Sequence, residues 1–101
     1  MSVYLHAEIH VRPGHILDML HLLEHSIKPM MEAEGVKMLA CYTNITGPRN
    51  TIIDIWEMND MEHFRAAYAR GLGALPRDND IRAKLDAWVE RETLTFMDRR
   101  F

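Results

Sequence analysis

Residues 3–14 read VYLHAEIHVRPG, and this stretch decides the fold because aliphatic side chains alternate along it with aromatic, polar or charged ones. An alternation with a period of two is typical of a β-strand whose two faces meet different surroundings. We place this strand at residues 3–12 and its end at Pro13-Gly14. The aliphatic face is suited to pack on helices. The opposite face is a candidate lining for a pocket and carries Tyr4, His6, Glu8 and His10.

The composition is that of one globular domain over residues 1–101. Hydrophobic residues make up 48% of the chain and charged residues 27%, the usual balance for such a domain. A net charge of −3 gives no basic surface for nucleic acid, and no apolar run approaches the ~20 residues that cross a membrane. Cys41 is the single cysteine, so an internal disulfide is excluded and a reducing compartment fits. We therefore expect a cytoplasmic protein that binds neither nucleic acid nor a membrane.

After Gly14 the spacing of apolar residues becomes helical. Apolar side chains recur every three or four positions, so they share one stripe of a helix that we expect to run to about Glu34. Pro29 lies inside this helix and predicts a kink or a break there, because proline lacks the backbone donor and its ring presses on the preceding turn. Gly35 is suited to end the helix. The stripe consists of Ile16, Leu20, Leu23, Ile27 and Met30.

The remaining chain predicts a hairpin, two helical pieces and a last strand. Gly47-Pro48-Arg49-Asn50 has the residues of a tight connection between two strands. Asn59 and Glu62 have the spacing of a reciprocal helix cap. The predicted segments are strands at 36–46 and 51–58, a helix from Asp60 to Leu75, a break at 76–80, a helix from Ile81 to about Glu92, and a strand at 93–98.

The order strand, helix, strand, strand, helix, strand is the split βαβ pattern (βαββαβ) of an α+β, ferredoxin-like fold. A right-handed crossover between the first two strands leaves room for the third, which gives an antiparallel four-stranded sheet in the order 4-1-3-2. Strands one and three then lie side by side in the centre. If their polar faces point the same way, one set of polar or aromatic side chains comes together. This set is His6, Glu8, His10, Asp54 and Trp56.

The helices of such a fold lie on one side of the sheet and leave the other side bare. The residues that we assign to the bare side would form an apolar patch larger than a monomer usually exposes. A second copy of the sheet is an economical cover, and it would produce a homodimeric α+β barrel whose lumen can hold a small molecule. The expected patch consists of Tyr4, Met38, Tyr42, Ile52, Trp56 and Met58.

Several short motifs are spread over most of the chain. They are the Tyr4-centred first strand with Pro13-Gly14, Pro29 and Gly35 in and after the first helix, Gly47-Pro48-Arg49-Asn50 leading into Ile55-Trp56, and the helix from Asp60 to Leu75. Together they resemble a NIPSNAP-type domain. The resemblance implies the dimeric α+β barrel fold, which that family shares with small antibiotic-biosynthesis monooxygenases, muconolactone isomerase, polyketide cyclases and haem-degrading or haem-binding proteins. It supports the fold and dimerisation, and we carry over no catalytic residue from it.

The candidate site combines imidazoles with carboxylates on the face that we expect to line the lumen. A histidine oriented by a carboxylate in a partly dry cavity is suited to take a proton from a phenol or an activated carbon. We predict His6 or His10 as this base. Asp54 or Glu8 would orient it. The predicted substrate contacts are Tyr4, Tyr42, Asn44 and Trp56.

These groups favour a small-molecule enzyme that uses no metal and no organic cofactor. We expect it to act on an aromatic or polyketide-like substrate as an oxygenase, a cyclase or an isomerase. The alternative is a non-catalytic binding or scaffolding dimer whose lumen is filled by its own side chains, which would hydrogen-bond across the dimer. A metal site is disfavoured because His6 and His10 lie four residues apart on a strand, ~13 Å between backbones.

Overall fold

The computed structural model describes residues 2–73 and 80–101. Its elements follow in the predicted order, and each helical segment is divided into two. The first helical segment contains a π-helical turn at Leu23–Ile27. The elements are β1 (Val3–Val11), α1 (Ile16–Leu22), α2 (Lys28–Glu32), β2 (Lys37–Thr43), β3 (Thr51–Met58), α3 (Met61–Gly73), α4 (Ile81–Trp88) and β4 (Val89–Asp98).

The four strands form one antiparallel sheet in the order β2-β3-β1-β4. This is the predicted order, and it confirms the α+β, ferredoxin-like fold. The molecule measures 39 × 38 × 18 Å along its principal axes. The shortest dimension has room for one layer of helices ~10 Å from one sheet. We call the sheet face that packs on the helices the inner face and the opposite one the outer face.

The alternation in β1 divides the sheet as predicted. Leu5, Ala7, Ile9 and Val11 are all buried and belong to the core on the inner face. The side chains between them point to the outer face, which no part of the described chain covers. The outer-face residues of β1 are Tyr4, His6, Glu8 and His10.

The register of β3 corrects the prediction for the two central strands. Asp54 pairs with Ala7 and Trp56 pairs with Leu5, so both lie on the inner face and not beside the histidines. Isoleucines stand on both faces of β3, so its alternation does not mark which face is buried. Four members of the expected outer patch belong to the inner face instead, and only Tyr4 and Tyr42 remain outside. The four are Met38, Ile52, Trp56 and Met58.

The irregularity predicted at Pro29 lies one turn earlier. Pro29 itself is the second residue of α2, which continues directly from the π-helical turn, so the carbonyl that would accept from its missing N–H lies inside that turn. The π-helical turn before it contains one extra residue and so rotates the stripe that faces the core. Met31, with 1% of its surface exposed, occupies the core position that the sequence pattern assigned to Met30.

The second helical segment packs on the core partly through small residues. Met61 is 58% exposed, whereas Ala67 is fully buried. Gly71 lies so close to α2 that a Cβ atom there would stand 2.6 Å from Cγ of Met30. The predicted end of this helix at Leu75 and residues 76–79 of the predicted break lie outside the described residues.

The second helix of this segment ends earlier than its apolar spacing suggested. α4 stops at Trp88, and β4 begins at Val89, four positions before the predicted start of the strand. Glu92 therefore belongs to a strand and not to a helix. Its partner in β1 is Ile9, which places Glu92 on the inner face with Asp54.

Candidate functional site

A cavity of about 60 Å³ lies between the inner face of the sheet and the helices, and we call it the inner cavity. Most of its lining is apolar and comes from β1, from the first helical segment and from α3 and α4. Four side chains with polar atoms interrupt this lining. They are Asp54, Trp56, Tyr68 and Glu92.

Asp54 is the most deeply buried carboxylate of the described chain, with 2% of its surface exposed. Its position opposite Ala7 puts a methyl group beside the carboxyl in the centre of the sheet. The Nε1–H of Trp56 donates a hydrogen bond of 3.1 Å to Oδ2 of Asp54. The other oxygen, Oδ1, is buried and has no hydrogen-bond partner in the described residues. A buried carboxylate oxygen with a free acceptor position is uncommon in folded proteins and can mark a functional group.

The surroundings of Asp54 favour its protonated form. Burial raises the pKa of Asp54 from 3.8 to about 6, because a charged carboxylate loses its hydration inside the protein. The hydrogen bond from Trp56 lowers the pKa of Asp54, while the negative charge of Glu92 raises it further. Such a carboxyl is mostly ionised at neutral pH but can be protonated at little cost, as a general base requires.

Glu92 and Tyr68 stand between the inner cavity and the surface. Burial also raises the pKa of the Glu92 carboxyl. Burial and the nearby charge of Glu92 raise the pKa of the Tyr68 hydroxyl. Two carboxyls and a phenol thus face one small, largely apolar space.

An open cleft of about 680 Å³ adjoins this cavity. It is formed by α3, α4 and the first half of β4, and its charged groups are Arg82, Asp86 and Glu92. Tyr68, Leu85 and Glu92 line both the cleft and the inner cavity, so these side chains lie between the two spaces. We call the larger space the outer cleft. It lies on the helix side of the sheet and not on the outer face.

The other predicted site residues are on the outer face or at the end of β2. Nε2 of His10 lies 3.3 Å from Oε2 of Glu8 and 3.4 Å from Nη2 of Arg91. His6 pairs with Ile55 and Thr95 in the neighbouring strands. The sheet backbone thus separates these imidazoles from Asp54.

The predicted substrate contacts are also divided between separate places. Tyr4 donates a hydrogen bond of 3.0 Å from its hydroxyl to Glu57, and Tyr42 is 59% exposed on the outer face. Asn44 lies beyond the end of β2 and donates from Nδ2 to the carbonyl of Pro48 at 2.8 Å, so it stabilises the connection. Trp56 alone of the four lines the inner cavity.

Sequence reasoning missed Glu92 and Tyr68. Glu92 was assigned to the end of a helix, although the alternation of Glu92, Leu94 and Phe96 with threonines already indicates a strand. The helical spacing of Tyr68 from Phe64 and Leu72 predicts a core position, but 37% of its surface is exposed at the outer cleft. No sequence pattern distinguishes a tyrosine at a cavity mouth from one in a core stripe.

A family model described as NIPSNAP matches residues 4–101, nearly the whole chain. The chain belongs to the NIPSNAP family. A NIPSNAP domain protein from Burkholderia xenovorans is 18% identical, with a TM-score of 0.76 and coverage of 99% of this chain and 95% of that one. A NIPSNAP family protein from Agrobacterium tumefaciens is 14% identical, with a TM-score of 0.81 and coverage of 99% and 94%.

The fold of this NIPSNAP chain also occurs outside proteins of that name. A protein from Bacteroides thetaiotaomicron, described as a candidate antibiotic biosynthesis monooxygenase, is 19% identical, with a TM-score of 0.71 and coverage of 99% of this chain and 90% of that one. At such identities the likeness establishes the fold alone. No curated protein matches the sequence significantly.

Two further observations on this NIPSNAP chain concern membranes and metal ions. None of the helices in residues 2–73 and 80–101 has the length and apolar character to cross a membrane. Within the same residues, no three histidine, cysteine or acidic side chains come together in an arrangement that could hold a metal ion.

Proposed function

We propose that this NIPSNAP chain is a small-molecule enzyme that transfers a proton with Asp54 as its base. The observation that carries the proposal is the Asp54 carboxyl itself, which is 2% exposed, held at Oδ2 by Trp56 and unpartnered at Oδ1. The fixed oxygen sets the orientation of the carboxyl, and the free oxygen can reach a substrate in the inner cavity.

The proposed step begins with an ionised Asp54 and a substrate that has a carbonyl group. Asp54 takes a proton from the carbon next to the carbonyl, and the electron pair of the broken C–H bond forms the double bond of an enolate. The negative charge comes to rest on the enolate oxygen. Asp54 then returns the proton to a carbon atom, which restores the carbonyl and the carboxylate. No electrons are gained or lost, so this isomerase-type step needs no co-reactant.

The sizes and linings of the inner cavity and the outer cleft limit the shape of such a substrate. A cavity of about 60 Å³ has the volume that about two water molecules occupy in the liquid. It therefore admits only the reacting end of an organic molecule. The body would lie in the outer cleft against Tyr68 and Leu85, which suit an aromatic or polyketide-like compound. An oxygenase or a cyclase acting on such a compound begins with the same proton abstraction.

The histidines on the outer face are not the base of the inner cavity in this proposal. His6 or His10 could act as the predicted base only in a lumen closed by a second chain. We propose that the outer face is covered by a second copy, in a cytoplasmic homodimer, because the sheet exposes apolar side chains there. Leu39 is 45% exposed, Tyr42 59% and Met97 38%, and all three extend from the uncovered face.

A non-catalytic binding dimer is the second candidate function. The small volume of the inner cavity favours it, since about 60 Å³ leaves little room for turnover. In that case the Asp54 carboxyl would bind a ligand or water without catalysing a reaction.

Exchange of hydrogen for deuterium at a carbon acid tests the proton-transfer step directly. The probe is 2-tetralone, an aromatic ketone, incubated with the protein in D₂O while ¹H NMR follows the protons next to its carbonyl. We expect acceleration by the wild-type protein and a decrease of about 10²–10⁴-fold in Asp54→Asn, the usual contribution of a general base. His6→Ala and His10→Ala are the matched controls and should keep the rate within about threefold, because neither lines the inner cavity.

The opposite pattern would reject the assignment. Exchange that survives in Asp54→Asn but is lost in His10→Ala or His6→Ala would place the base on the outer face, as the sequence first predicted. Absence of acceleration by the wild-type protein, with 2-tetralone shown by NMR to bind, would favour the non-catalytic alternative.

A further inference from the structure

We propose that the inner cavity selects ligands that present an uncharged hydroxyl group to Asp54 and rejects ligands that present a carboxylate. This inference rests on the proposed function, because it takes the inner cavity as the ligand site and Asp54 as the group that the ligand meets. It concerns binding, however, so it can fail or hold independently of catalysis.

The first argument is the free acceptor on Asp54. Oδ1 is buried, lacks a hydrogen-bond partner in the described chain, and belongs to a side chain of which 2% is exposed. A buried acceptor without a donor costs roughly 1–3 kcal/mol. A ligand hydroxyl restores this bond, since an O–H group donates to a carboxylate oxygen. A ligand carboxylate has no hydrogen to donate at neutral pH.

The second argument is the absence of a balancing cation. Of the described residues that line the inner cavity, none is a lysine or an arginine. Asp54 and Glu92 both face this space, and the charge of Glu92 reaches Asp54. A ligand carboxylate would therefore add a third negative group beside the buried Asp54 carboxyl and the exposed Glu92, and like charges repel more strongly at a buried group than in water.

The third argument concerns ammonium ligands, which could pair with Asp54. Leu5, Ile9 and Phe64 are among the apolar side chains that enclose the cavity. An ammonium ion has three donors, and at Asp54 only Oδ1 is a free acceptor, since Glu92 and Tyr68 stand at the exposed mouth of the cavity. The cost of removing its hydration would thus be repaid only in part. An uncharged hydroxyl has one donor to place and loses far less hydration.

Three ligands with the same ring system separate these possibilities. They are 2-naphthol, 2-naphthoate and the 2-naphthylmethylammonium ion, each titrated at pH 7.5 into the ¹⁵N-labelled protein. The readout is the indole N–H signal of Trp56, because that group donates to Asp54. Trp88→Phe identifies the signal, since Trp56 and Trp88 are the two tryptophans of the chain.

We expect 2-naphthol to shift the Trp56 signal and to bind at least about tenfold more tightly than either charged ligand, a difference of about 1.4 kcal/mol. Asp54→Asn should reduce the preference over 2-naphthoate to less than about threefold, because an amide can donate to a carboxylate. Glu8→Gln is the matched control on the outer face and should leave the preference unchanged.

Three outcomes would overturn the inference. They are equal or tighter binding of 2-naphthoate, tighter binding of the ammonium ion, and no shift of the Trp56 signal by 2-naphthol at millimolar concentration. The last result would mean that the cavity admits only water. If the preference holds but 2-tetralone exchange is not accelerated, the ligand class stands and the proposed catalysis fails. If 2-tetralone exchange is accelerated but the preference for 2-naphthol is absent, the ligand class is rejected and the proposed catalysis stands.

Discussion

Trp56 donates its indole hydrogen to Asp54 across 3.1 Å, and the two side chains share the inner face of β3 two residues apart. This contact fixes one oxygen of a buried carboxylate and leaves the other free. The arrangement is costly for stability, because folding must remove the hydration of a charged group. In the proposed function, the same contact holds the carboxyl in position to accept a proton.

Asp54→Asn should make the protein more stable, and the gain should grow with pH. Asp54 has a pKa of about 6 when folded and 3.8 as its ordinary value. Between these values the folded state holds the proton more tightly than the unfolded state does. The contribution of Asp54 to stability is therefore fully present below the ordinary pKa and is lost as the pH rises through 6. The pH-dependent part of the gain approaches about 3 kcal/mol at neutral pH.

Urea unfolding of both proteins at pH 4.5 and pH 7.5 measures this effect. The difference between the two proteins isolates Asp54, since all other titrating groups are common to both. A gain of equal size at both pH values would show that Asp54 does not titrate in this interval.

Ile55→Asp should separate the proposed homodimer into single chains. Ile55 pairs with His6 on the outer face, so an aspartate there would lose its hydration when a second sheet covers it, and one neighbouring imidazole would repay that cost only in part. Light scattering of the wild-type protein should give about twice the chain mass of 11.8 kDa, and the variant should give the single mass. Leu17→Asp is the control, because Leu17 is 76% exposed on α1. Wild-type protein that remains a single chain at micromolar concentration contradicts the dimer.

His63→Ala should destabilise the protein by about 2 kcal/mol, because two hydrogen bonds of its ring are lost. The backbone N–H of Asn59 donates to Nδ1 at 3.0 Å, so Nε2 carries the hydrogen and donates to the carbonyl of Glu34 at 2.7 Å. The ring thereby joins the start of α3 to the end of the first helical segment.

Glu62→Ala is a suitable control for that variant and should change stability little. Glu62 forms an exposed ion pair with Arg65, and such pairs contribute little. The comparison also tests the helix cap. The sequence predicted Asn59 and Glu62 as the reciprocal pair, whereas Asp60 accepts from the backbone of His63 at 2.7 Å and His63 accepts from Asn59. If His63→Ala lowers the free energy of unfolding as little as Glu62→Ala does, measured in urea, the hydrogen bonds of His63 contribute nothing to stability.

Gly71→Ala should destabilise the protein although alanine favours helices by up to ~1 kcal/mol over glycine. The added Cβ would lie 2.6 Å from Cγ and 2.9 Å from Sδ of Met30, so the Met30 side chain would have to leave its packing position against α3. In a Met30→Ala background the same substitution should become stabilising. A double-mutant cycle measures this change of sign. An unchanged effect of Gly71→Ala in that background would show that Met30 is not the obstacle.

The fold could be predicted because the sequence patterns that determine it lie within short stretches of the chain. The alternation of β1 and the change to helical spacing after Gly14 define the elements, and the handedness of the crossover then orders the strands. These arguments need no knowledge of distant contacts. They gave the sheet order correctly.

The candidate site could not be predicted in the same way. Isoleucines at 52, 53 and 55 put apolar groups on both faces of β3, so only its pairing with β1 shows that Asp54 faces the helices. The free Oδ1 atom and the neighbouring charge of Glu92 depend on positions far apart in the chain. The extra residue of the π-helical turn likewise has no mark in the apolar spacing around it.

The alternation of β1 has an evolutionary consequence. Even-numbered residues of this strand belong to the outer face, and odd-numbered ones face the helices. Relatives can therefore diverge in the chemistry of the inner face while keeping the side chains of the outer face, or the reverse. Insertion of a single residue into β1 is the exception. It would exchange the two sets of side chains at once, so length variation among relatives should be confined to the loops that flank this strand.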